Sequence, residues 1–288
     1  AVNINARGLR SKTSGLVVVL LPDIANPFFS VLLQGIEEQA RSHDMSVLIG
    51  DTGVDRAIAE NYWRLLEGQR ADGIILLNGF LPFHPARRAA DYPIVVVSER
   101  IGGVDAPFVG IDNVAAAFDA VSHLARLGHT RIAHISGPAE NVLTAERRAG
   151  YRKAVEAHGL DEWPEAIQPG EFSIRAGRAA TGRLLGLRAR PTAIFTANDE
   201  IAIGAIMEAK AQGLRVPHDL SVVGFDDIEM GQICDPALTT VYQPRREMGR
   251  KALETLARWV EAPGRRPADI LLDYKLAVRD SAMPPAAR

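Results

Sequence analysis

The amino-acid sequence predicts an α/β protein with two doubly wound lobes, each built on a parallel sheet. Short apolar runs such as Leu16–Leu21 and Ile94–Val97 have the unbroken hydrophobicity of strands that are covered on both faces. Between such runs apolar residues recur at helical spacing, as Phe29, Leu32 and Ile36 do after the first strand. This alternation of strands and helices favours parallel strands joined by right-handed crossovers.

Two sets of these elements follow one another along the chain. The predicted strands are Leu16–Leu21, Met45–Ile49, Gly73–Leu77 and Ile94–Val97 in the first set, and Arg131–Ile135, Thr192–Phe195 and Leu220–Val223 in the second. The predicted helices begin after Pro27 and near Ile58, Pro85, Ala115, Thr144, Ile174 and Glu200.

The end of the chain adds a third, shorter β–α–β piece made of Thr239–Tyr242, Arg245–Val260 and Leu271–Val278. Two lobes followed by such a piece require the chain to pass between the lobes more than once. We expect three crossovers, with a ligand cleft where the lobes join. The predicted first lobe is 15–111 with 243–270, and the predicted second lobe is 112–242 with 271–288.

Composition limits the class of protein. The chain has 288 residues, of which 47% are apolar and 24% charged, so large cores are available. A formal net charge of −2 argues against a body that coats nucleic acid. Its one cysteine, Cys234, cannot form an internal disulfide. No apolar stretch approaches the roughly 18 residues that span a bilayer, and Ala1–Ser14 lacks the apolar core of a signal peptide. We expect a cytoplasmic protein without membrane contact.

The sequence lacks the common motifs for cofactors, metals and nucleophilic catalysis. There is no Gly-x-Gly-x-x-Gly turn and no Gly-x-x-x-x-Gly-Lys-Ser/Thr loop for phosphates. The seven histidines show no His-Glu-x-x-His spacing, and no Gly-x-Ser-x-Gly elbow occurs. We therefore expect no cofactor, no metal site and no enzymatic activity.

Polar side chains follow several predicted strands. Asn78 follows the third strand, and Ser98 and Glu99 follow the fourth. In the second lobe, Asn198 and Asp226 follow their strands in the same way. Because the carboxyl ends of parallel strands face the ligand crevice, these positions predict a small-molecule site rich in hydrogen-bonding groups.

Each candidate also has an ordinary structural interpretation. Phe28 and Phe29 are typical core aromatics, although aromatic faces also stack on sugars and bases. Asn198 and Asp226 are both possible helix or turn caps. Arg147 would be a solvated residue on the exposed side of its helix, unless that helix faces the cleft and the guanidinium binds hydroxyl groups.

Longer motifs make the chain similar to a known family. In order, the sequence contains Asn26-Pro27-Phe28-Phe29, Gly110-Ile111-Asp112-Asn113, Arg147-x-x-Gly150-Tyr151, Asn198-Asp199-x-x-Ala202 and Gly224-Phe225-Asp226-Asp227. With these motifs the chain resembles the LacI/GalR family of bacterial transcription regulators from about Asn5 to its final strand. Leu21-Pro22-Asp23-Ile24 and Phe118-Asp119-Ala120-Val121 resemble most the members that respond to cytidine and other nucleosides.

The resemblance implies a dimeric repressor with a DNA-binding helix-turn-helix, a hinge helix, and an effector domain shaped like type I periplasmic sugar-binding proteins. The helix-turn-helix is absent from this chain, so we expect the effector-binding core with a hinge remnant at 1–14. Leu9 matches the hinge leucine that wedges into the minor groove of the operator. Arg7 and Arg10 would contact its phosphates.

The resemblance also implies a set of ligand contacts. In ribose-binding members of the superfamily the corresponding residues hold the sugar. The matching positions here are Asn26, Phe28, Phe29, Arg147, Phe172, Asn198, Asp226 and Gln243. One element departs from the family pattern, because Ser98-Glu99-Arg100 stands where an Asp-Arg pair is expected. Ser98 and Glu99 therefore join the candidates, as does Asn78, at a position that varies among relatives.

Together these expectations predict the effector-binding core of a repressor homodimer. Its effector would carry a ribosyl group, with a nucleoside as first choice and ribose or another pentose as second. Binding would close the cleft and change the affinity for operator DNA. The alternative from another class is a periplasmic sugar-binding protein for uptake, which predicts a secretory leader and a monomer. An enzyme is the third possibility.

Overall fold

A computed structural model describes residues 14–53, 55–82 and 92–286. The predicted DNA contacts Arg7, Leu9 and Arg10 and the short helix predicted from Pro85 lie outside the described residues. Within the described part of the chain, no helix is both long and apolar enough to span a membrane.

The chain divides into two compact units. Unit 1 comprises the described residues up to Gly110 together with Pro244–Leu272, and unit 2 comprises Ile111–Gln243 with the described residues from Asp273 onward. These boundaries differ by one or two residues from those expected from the sequence. The side-chain amide of Gln243 donates a hydrogen bond to Asp226 of unit 2. The backbone N–H of Leu272 donates to the Gly110 carbonyl of unit 1.

The strands of unit 1 form one sheet, and helices pack on both faces of that sheet. Its strands are β1 (Leu16–Leu21), β2 (Ser46–Asp51), β3 (Gly73–Leu76), β4 (Ile94–Val97), β5 (Phe108–Gly110) and β11 (Ile270–Leu271). Its helices are α1 (Pro27–Ser42), α2 (Arg56–Glu67) and α8 (Arg245–Glu261). The sheet has the order β11-β5-β4-β3-β1-β2, and each of these neighbours is parallel.

Unit 2 repeats this plan. Its strands are β6 (Ile132–Ile135), β7 (Ile167–Gln168), β8 (Ala193–Thr196), β9 (Ser221–Asp226), β10 (Thr239–Tyr242) and β12 (Lys275–Ala277). Its helices are α3 (Asn113–Arg126), α4 (Val142–His158), α5 (Ile174–Leu185), α6 (Asp199–Ala211) and α7 (Glu229–Ile233). The sheet has the order β12-β10-β9-β8-β6-β7, parallel except for the antiparallel pair of β10 and β12.

The predicted α/β fold with two parallel sheets is therefore confirmed. One prediction is wrong, because the segment Leu271–Val278 is not a single extended stretch. The structure instead has Ile270–Leu271 paired with β5 of unit 1 and Lys275–Ala277 paired with β10 of unit 2. The chain passes from one unit to the other between these two short strands, so a single strand could not serve both sheets.

Alternate residues of β1 face opposite sides of the unit 1 sheet, as the pleat of a strand requires. Val17 and Val19 pack in the cluster that contains Met248 of α8, whereas Val18 packs in the cluster that contains Trp63 of α2. Both faces of the strand are therefore buried. This burial explains why the sequence of β1 is apolar at every position.

The unit 2 sheet is covered in the same manner. Ile135 of β6 packs with Leu184 of α5 and Ile201 of α6, while the neighbouring His134 stacks on Tyr151 of α4. His134 is fully buried, and this desolvation lowers its pKa to about 4. Its imidazole is therefore neutral at physiological pH and acts as a core side chain.

Glycines set the distance between paired helices. In unit 2, a Cβ atom on Gly177 of α5 would overlap the Ile201 carbonyl of α6, and one on Gly204 of α6 would overlap the Ile174 carbonyl of α5. The α1 and α8 pair of unit 1 meets through Gly35 and Gly249 in the same reciprocal way, against the backbone at Arg246 and Leu32. These helices therefore approach to backbone contact.

This contact makes a matched pair of substitutions on α5 informative. Gly177→Ala should lower the free energy of unfolding by about 1–3 kcal/mol, because the new methyl group meets rigid backbone. Gly182→Ala should raise it by up to about 1 kcal/mol, because the nearest atom to a Cβ there is 3.6 Å away and alanine favours helix. Urea denaturation of both variants measures the difference, and equal stabilities would contradict the packing argument.

Candidate functional site

The sheet order of unit 2 brings three polar strand ends together. Strands β10, β9, β8 and β6 are successive neighbours, and their parallel direction places their carboxyl ends at one edge. Asp226 ends β9, Asn198 follows β8 and Gln243 follows β10. Three residues predicted from the sequence therefore lie at neighbouring strand ends.

Arg147 of α4 reaches into this edge. Its side chain is only 2% exposed, so the solvated interpretation is wrong. The Nε atom donates to Asn113 Oδ1 at 3.2 Å, and Nη1 donates to the Ala197 carbonyl. Nη2 lies 3.5 Å from Asp226 Oδ1, and Cζ stacks 3.7 Å from the centre of the Phe225 ring. The guanidinium is thus held in one orientation by contacts from four directions.

Asp226, like Arg147, is fixed by contacts with neighbouring residues. Gln243 Nε2 donates to Asp226 Oδ1 at 2.7 Å, and both residues are buried. The backbone of Asp226 has φ of 114°, a conformation that favours glycine and costs a non-glycine residue about 1–3 kcal/mol. Next to it, Asp227 pairs with Arg279 at 2.7 Å, so the two adjacent carboxylates have different cationic partners.

Asn198 has a structural role in addition to its place at the edge. Its Oδ1 accepts the Ile201 N–H at 3.0 Å and caps α6. The amide nitrogen is the part of this side chain that a ligand would use. Phe172 is half-buried and packs against the core of unit 2 that contains Ile135 and Ile201. Its ring also covers Gly137, which follows β6.

Asp199 was not predicted as a site residue, and it lies directly beneath the site. Its side chain is fully buried, Oδ2 accepts the Ile228 N–H at 2.8 Å, and Oδ1 accepts the Thr240 hydroxyl. Desolvation, followed by the negative charge of Asp226, raises the pKa of Asp199 well above its usual range. The first turn of α6 thus carries a carboxyl group that favours its protonated form.

The candidate residues of unit 1 also lie at one edge of their sheet, because β4, β3, β1 and β2 are successive neighbours. Asn78 follows β3 and is 5% exposed, and neither polar atom of its amide has a hydrogen-bond partner in the described part of the chain. Ser98 follows β4, is buried and has φ of 66°. Glu99 is half-buried, and its carboxylate occupies the space that a Cβ on Gly79 would need.

The aromatic candidates of unit 1 belong largely to the core. Phe28 and Phe29 are each 7% exposed, and their rings meet edge to face with centres 5.3 Å apart. The Arg245 guanidinium lies 5.9 Å from the centre of the Phe28 ring. Asn26 caps α1, since its Oδ1 accepts the Phe28 N–H at 2.9 Å. The structural interpretation of Phe28 and Phe29 is therefore correct, and a stacking role would use only their remaining edges.

The structure thus places the candidates in two sets, one per unit, and adds residues that sequence reasoning missed. Asn113 and Phe225 complete the surroundings of Arg147. Both occur in motifs quoted above, but nothing in their spacing indicates a contact with an arginine. Among the residues described, no group of three or more histidines, cysteines and carboxylates could hold a metal ion.

Comparisons with known proteins agree with this architecture. A family model described as a periplasmic binding protein-like domain matches residues 121–282. Over 277 residues the chain is 39% identical to the HTH-type transcriptional repressor CytR of Escherichia coli (strain K12), covering 96% of this chain and 81% of that protein. The ribose operon repressor of Halalkalibacterium halodurans is 33% identical over 279 residues, with 96% and 82% covered.

Solved structures give the same result. A LacI family transcriptional regulator from Mycobacterium smegmatis has a TM-score of 0.81 at 30% identity, covering 94% of this chain and 100% of that chain. The complex of the transcriptional regulator CelR with cellobiose has a TM-score of 0.83 at 28% identity, covering 96% and 89%. The fold is that of the effector-binding core of a transcriptional repressor. The chain belongs to the LacI family of transcriptional regulators.

The raised pKa of Asp199 predicts a pH-dependent effect of Asp199→Asn. The native state of the wild type holds this proton at a pH where the unfolded chain has lost it, so the contribution of Asp199 to stability is present below about pH 4 and is lost as pH rises through its raised native pKa. Asparagine carries no such proton and can accept from Ile228 N–H while donating to Thr240. The stability of Asp199→Asn relative to wild type should therefore increase from pH 5 to pH 8.

Urea unfolding at several pH values measures this difference. Asp161→Asn, which changes an exposed carboxylate, serves as the control. A stability difference for Asp199→Asn that is constant or decreases with pH would contradict the assignment.

Proposed function

We propose that this repressor core binds an effector with a ribosyl group, with a nucleoside as first choice and a pentose as second. The observation that carries the proposal is the buried network of Arg147, Asp226 and Gln243 at the carboxyl edge of the unit 2 sheet. Burying a charged pair gives little net stability, because desolvation offsets the attraction. A strained, buried and fully oriented charged pair is more typical of a binding site.

The chemistry of the network suits hydroxyl groups. A carboxylate accepts hydroxyl protons and a guanidinium donates to hydroxyl oxygens, and hydrogen bonds to charged groups are roughly twice as strong as neutral ones. Gln243 and Asn113 hold the two charged groups in place. We expect Arg147 and Asp226 to bind neighbouring hydroxyls of the effector, with the Asn198 amide assisting.

The candidates of unit 1 favour a nucleoside over a free sugar. The buried amide of Asn78 offers one donor group and one acceptor without a protein partner among the described residues, and the edge of a nucleobase supplies both complements. Ser98 and Glu99 follow the neighbouring strand and would add polar contacts to the same group. Phe172 would stack on a flat or apolar face of the ligand. Phe28 and Phe29 would offer the edges of their rings as apolar contacts, and Asn26, which caps the helix that carries them, remains a candidate polar contact.

The relatives favour regulation of DNA binding as the output. Their names identify transcriptional repressors, one of them a repressor of a ribose operon, and the CelR structure contains cellobiose. We propose that effector binding changes the affinity for operator DNA, with Arg7, Leu9 and Arg10 as DNA contacts. A coupling free energy of about 1–3 kcal/mol would change operator affinity roughly 5–150-fold.

Asp226→Asn tests the ligand site. Loss of the charge should weaken effector binding at least tenfold, since hydrogen bonds to a charged group contribute about 1.5–3 kcal/mol. Isothermal titration calorimetry with cytidine, uridine, adenosine and ribose measures the affinity, and the melting temperature of each variant reports that it is folded. Asp161→Asn should bind as the wild type does. Unchanged affinity of a folded Asp226→Asn variant would remove Asp226 from the site.

We also propose that the protein is a homodimer with an apolar face on unit 2. Met207 of α6 is 47% exposed, and Met230 and Ile233 of the adjacent α7 are 48% and 77% exposed. Lys210 of α6 pairs with Asp235, two residues after the end of α7, at 2.8 Å. A group of exposed apolar side chains on two adjacent helices is typical of a protein interface.

Ile233→Asp should therefore convert the dimer into a monomer, because a carboxylate would be buried without a partner in the interface. Sedimentation velocity gives the oligomeric state. Val278→Asp, at a residue of the same unit that is 59% exposed, should leave the dimer intact. A monomeric wild type, or a dimeric Ile233→Asp variant, would contradict this face.

A further inference from the structure

A charged residue near the end of the chain holds the turn that carries Asp226. Asp226 and Asp227 are consecutive residues with positive φ, 114° and 55°, at the end of β9. Backbone conformations of this kind persist in non-glycine residues only where surrounding contacts fix them. Arg279, two residues after β12, supplies such a contact, because its Nη2 lies 2.7 Å from Asp227 Oδ1.

The guanidinium of Arg279 is itself held in place. Nη1 donates to the Leu238 carbonyl at 2.8 Å, and the backbone N–H of Arg279 donates to Thr239 Oγ1 at 2.9 Å. Asp227 is 7% exposed and the Arg279 side chain is 23% exposed, so water screens the pair only in part. This ion pair therefore has a defined geometry, unlike a pair between two mobile surface side chains.

The segment that carries Arg279 is fixed to β9 and β10 by contacts that do not involve the guanidinium. Ser281 is fully buried, and its hydroxyl accepts the Thr239 N–H at 2.8 Å and donates to the Val222 carbonyl at 2.6 Å. The Ser281 carbonyl accepts the Val222 N–H at 2.8 Å. The backbone should therefore keep its place when the side chain of Arg279 is replaced, and a substitution there tests the ion pair.

The direction of the Asp226 carboxylate depends on the backbone of this turn. Its Oδ1 lies 2.7 Å from Gln243 Nε2 and 3.5 Å from Arg147 Nη2, so a small rotation of the turn would change both contacts. Arg279 fixes the next residue and balances the charge of Asp227, which adjoins that of Asp226. Without the ion pair the turn could relax towards an ordinary backbone conformation, and the carboxylate would move with it.

We propose that Arg279 is a positioning residue of the ligand site, which orients the Asp226 carboxylate through Asp227. This inference rests on the proposed function. It adds a residue from the end of the chain to the determinants of effector affinity, through a contact with the turn and not with the ligand.

Arg279→Met removes the charge and keeps a long side chain. Its affinity for whichever of cytidine, uridine, adenosine and ribose binds the wild type most tightly should fall about fivefold, a smaller loss than for Asp226→Asn. Arg279→Lys should bind more tightly than Arg279→Met, because an ammonium group can still pair with Asp227. Arg215→Met, which removes an exposed arginine from its pair with Asp219 in the same unit, should bind as the wild type does.

Monodeoxy analogues of the same ligand separate positioning from a loss of structure. The hydroxyl that Asp226 binds is the one whose removal makes Asp226→Asn bind as tightly as the wild type. Arg279→Met should also bind that analogue as tightly as the wild type binds it. An equal loss for the parent ligand and the analogue would overturn the proposal, as would unchanged affinity of a folded Arg279→Met variant for the parent ligand.

Asp227→Gly provides a second variant in case Arg279→Met does not fold. Glycine removes the carboxylate and adopts positive φ without strain, so the backbone of the turn is tolerated but no longer fixed. The variant should lose affinity for the parent ligand and not for the analogue, and no loss would overturn the proposal. Failure of all four compounds to bind the wild type would instead overturn the proposed effector class, and this inference with it.

Discussion

In both units neighbouring strands run parallel, with β12 as the exception, so each connection must return across a face of the sheet before the next strand begins. The returning helices cover both faces, which is why central strands such as β1 and β4 are apolar at every position. Parallel pairing also aligns the carboxyl ends at one edge. Asn78 and Ser98 in unit 1, and Asn198 and Asp226 in unit 2, are neighbours along such an edge for this reason, although long stretches of chain separate them.

Burying the charged pair at the edge of unit 2 costs free energy, and the packing of the core offsets this cost. Arg147 and Asp226 are almost completely buried, and Asp226 adopts a strained backbone conformation. Removing charges from water is costly, and the contacts from Asn113 and Gln243 offset only part of that cost. Such a pair is preorganised, so the proposed effector would not have to order it on binding, which would lower the entropic cost of binding.

The helix pairs around the sheets meet through glycines, which gives each unit a rigid frame for its site. Gly177 and Gly204 let α5 and α6 touch backbone to backbone, and Asp199 at the start of α6 then reaches Thr240 and the chain before α7. One buried side chain, that of Asp199, therefore joins the start of α6 to β10 and to the residue before α7.

The sequence by itself determined the fold class and several elements to the residue, because apolar runs and helical spacing are local properties. Leu16–Leu21, Ile94–Val97 and Thr239–Tyr242 are strands with the predicted bounds. It also indicated which strand ends carry polar groups. Only the tertiary structure decided that Arg147 is buried and that it contacts Asn113 and Phe225, because burial and pairing depend on atoms contributed by distant segments that no local pattern specifies.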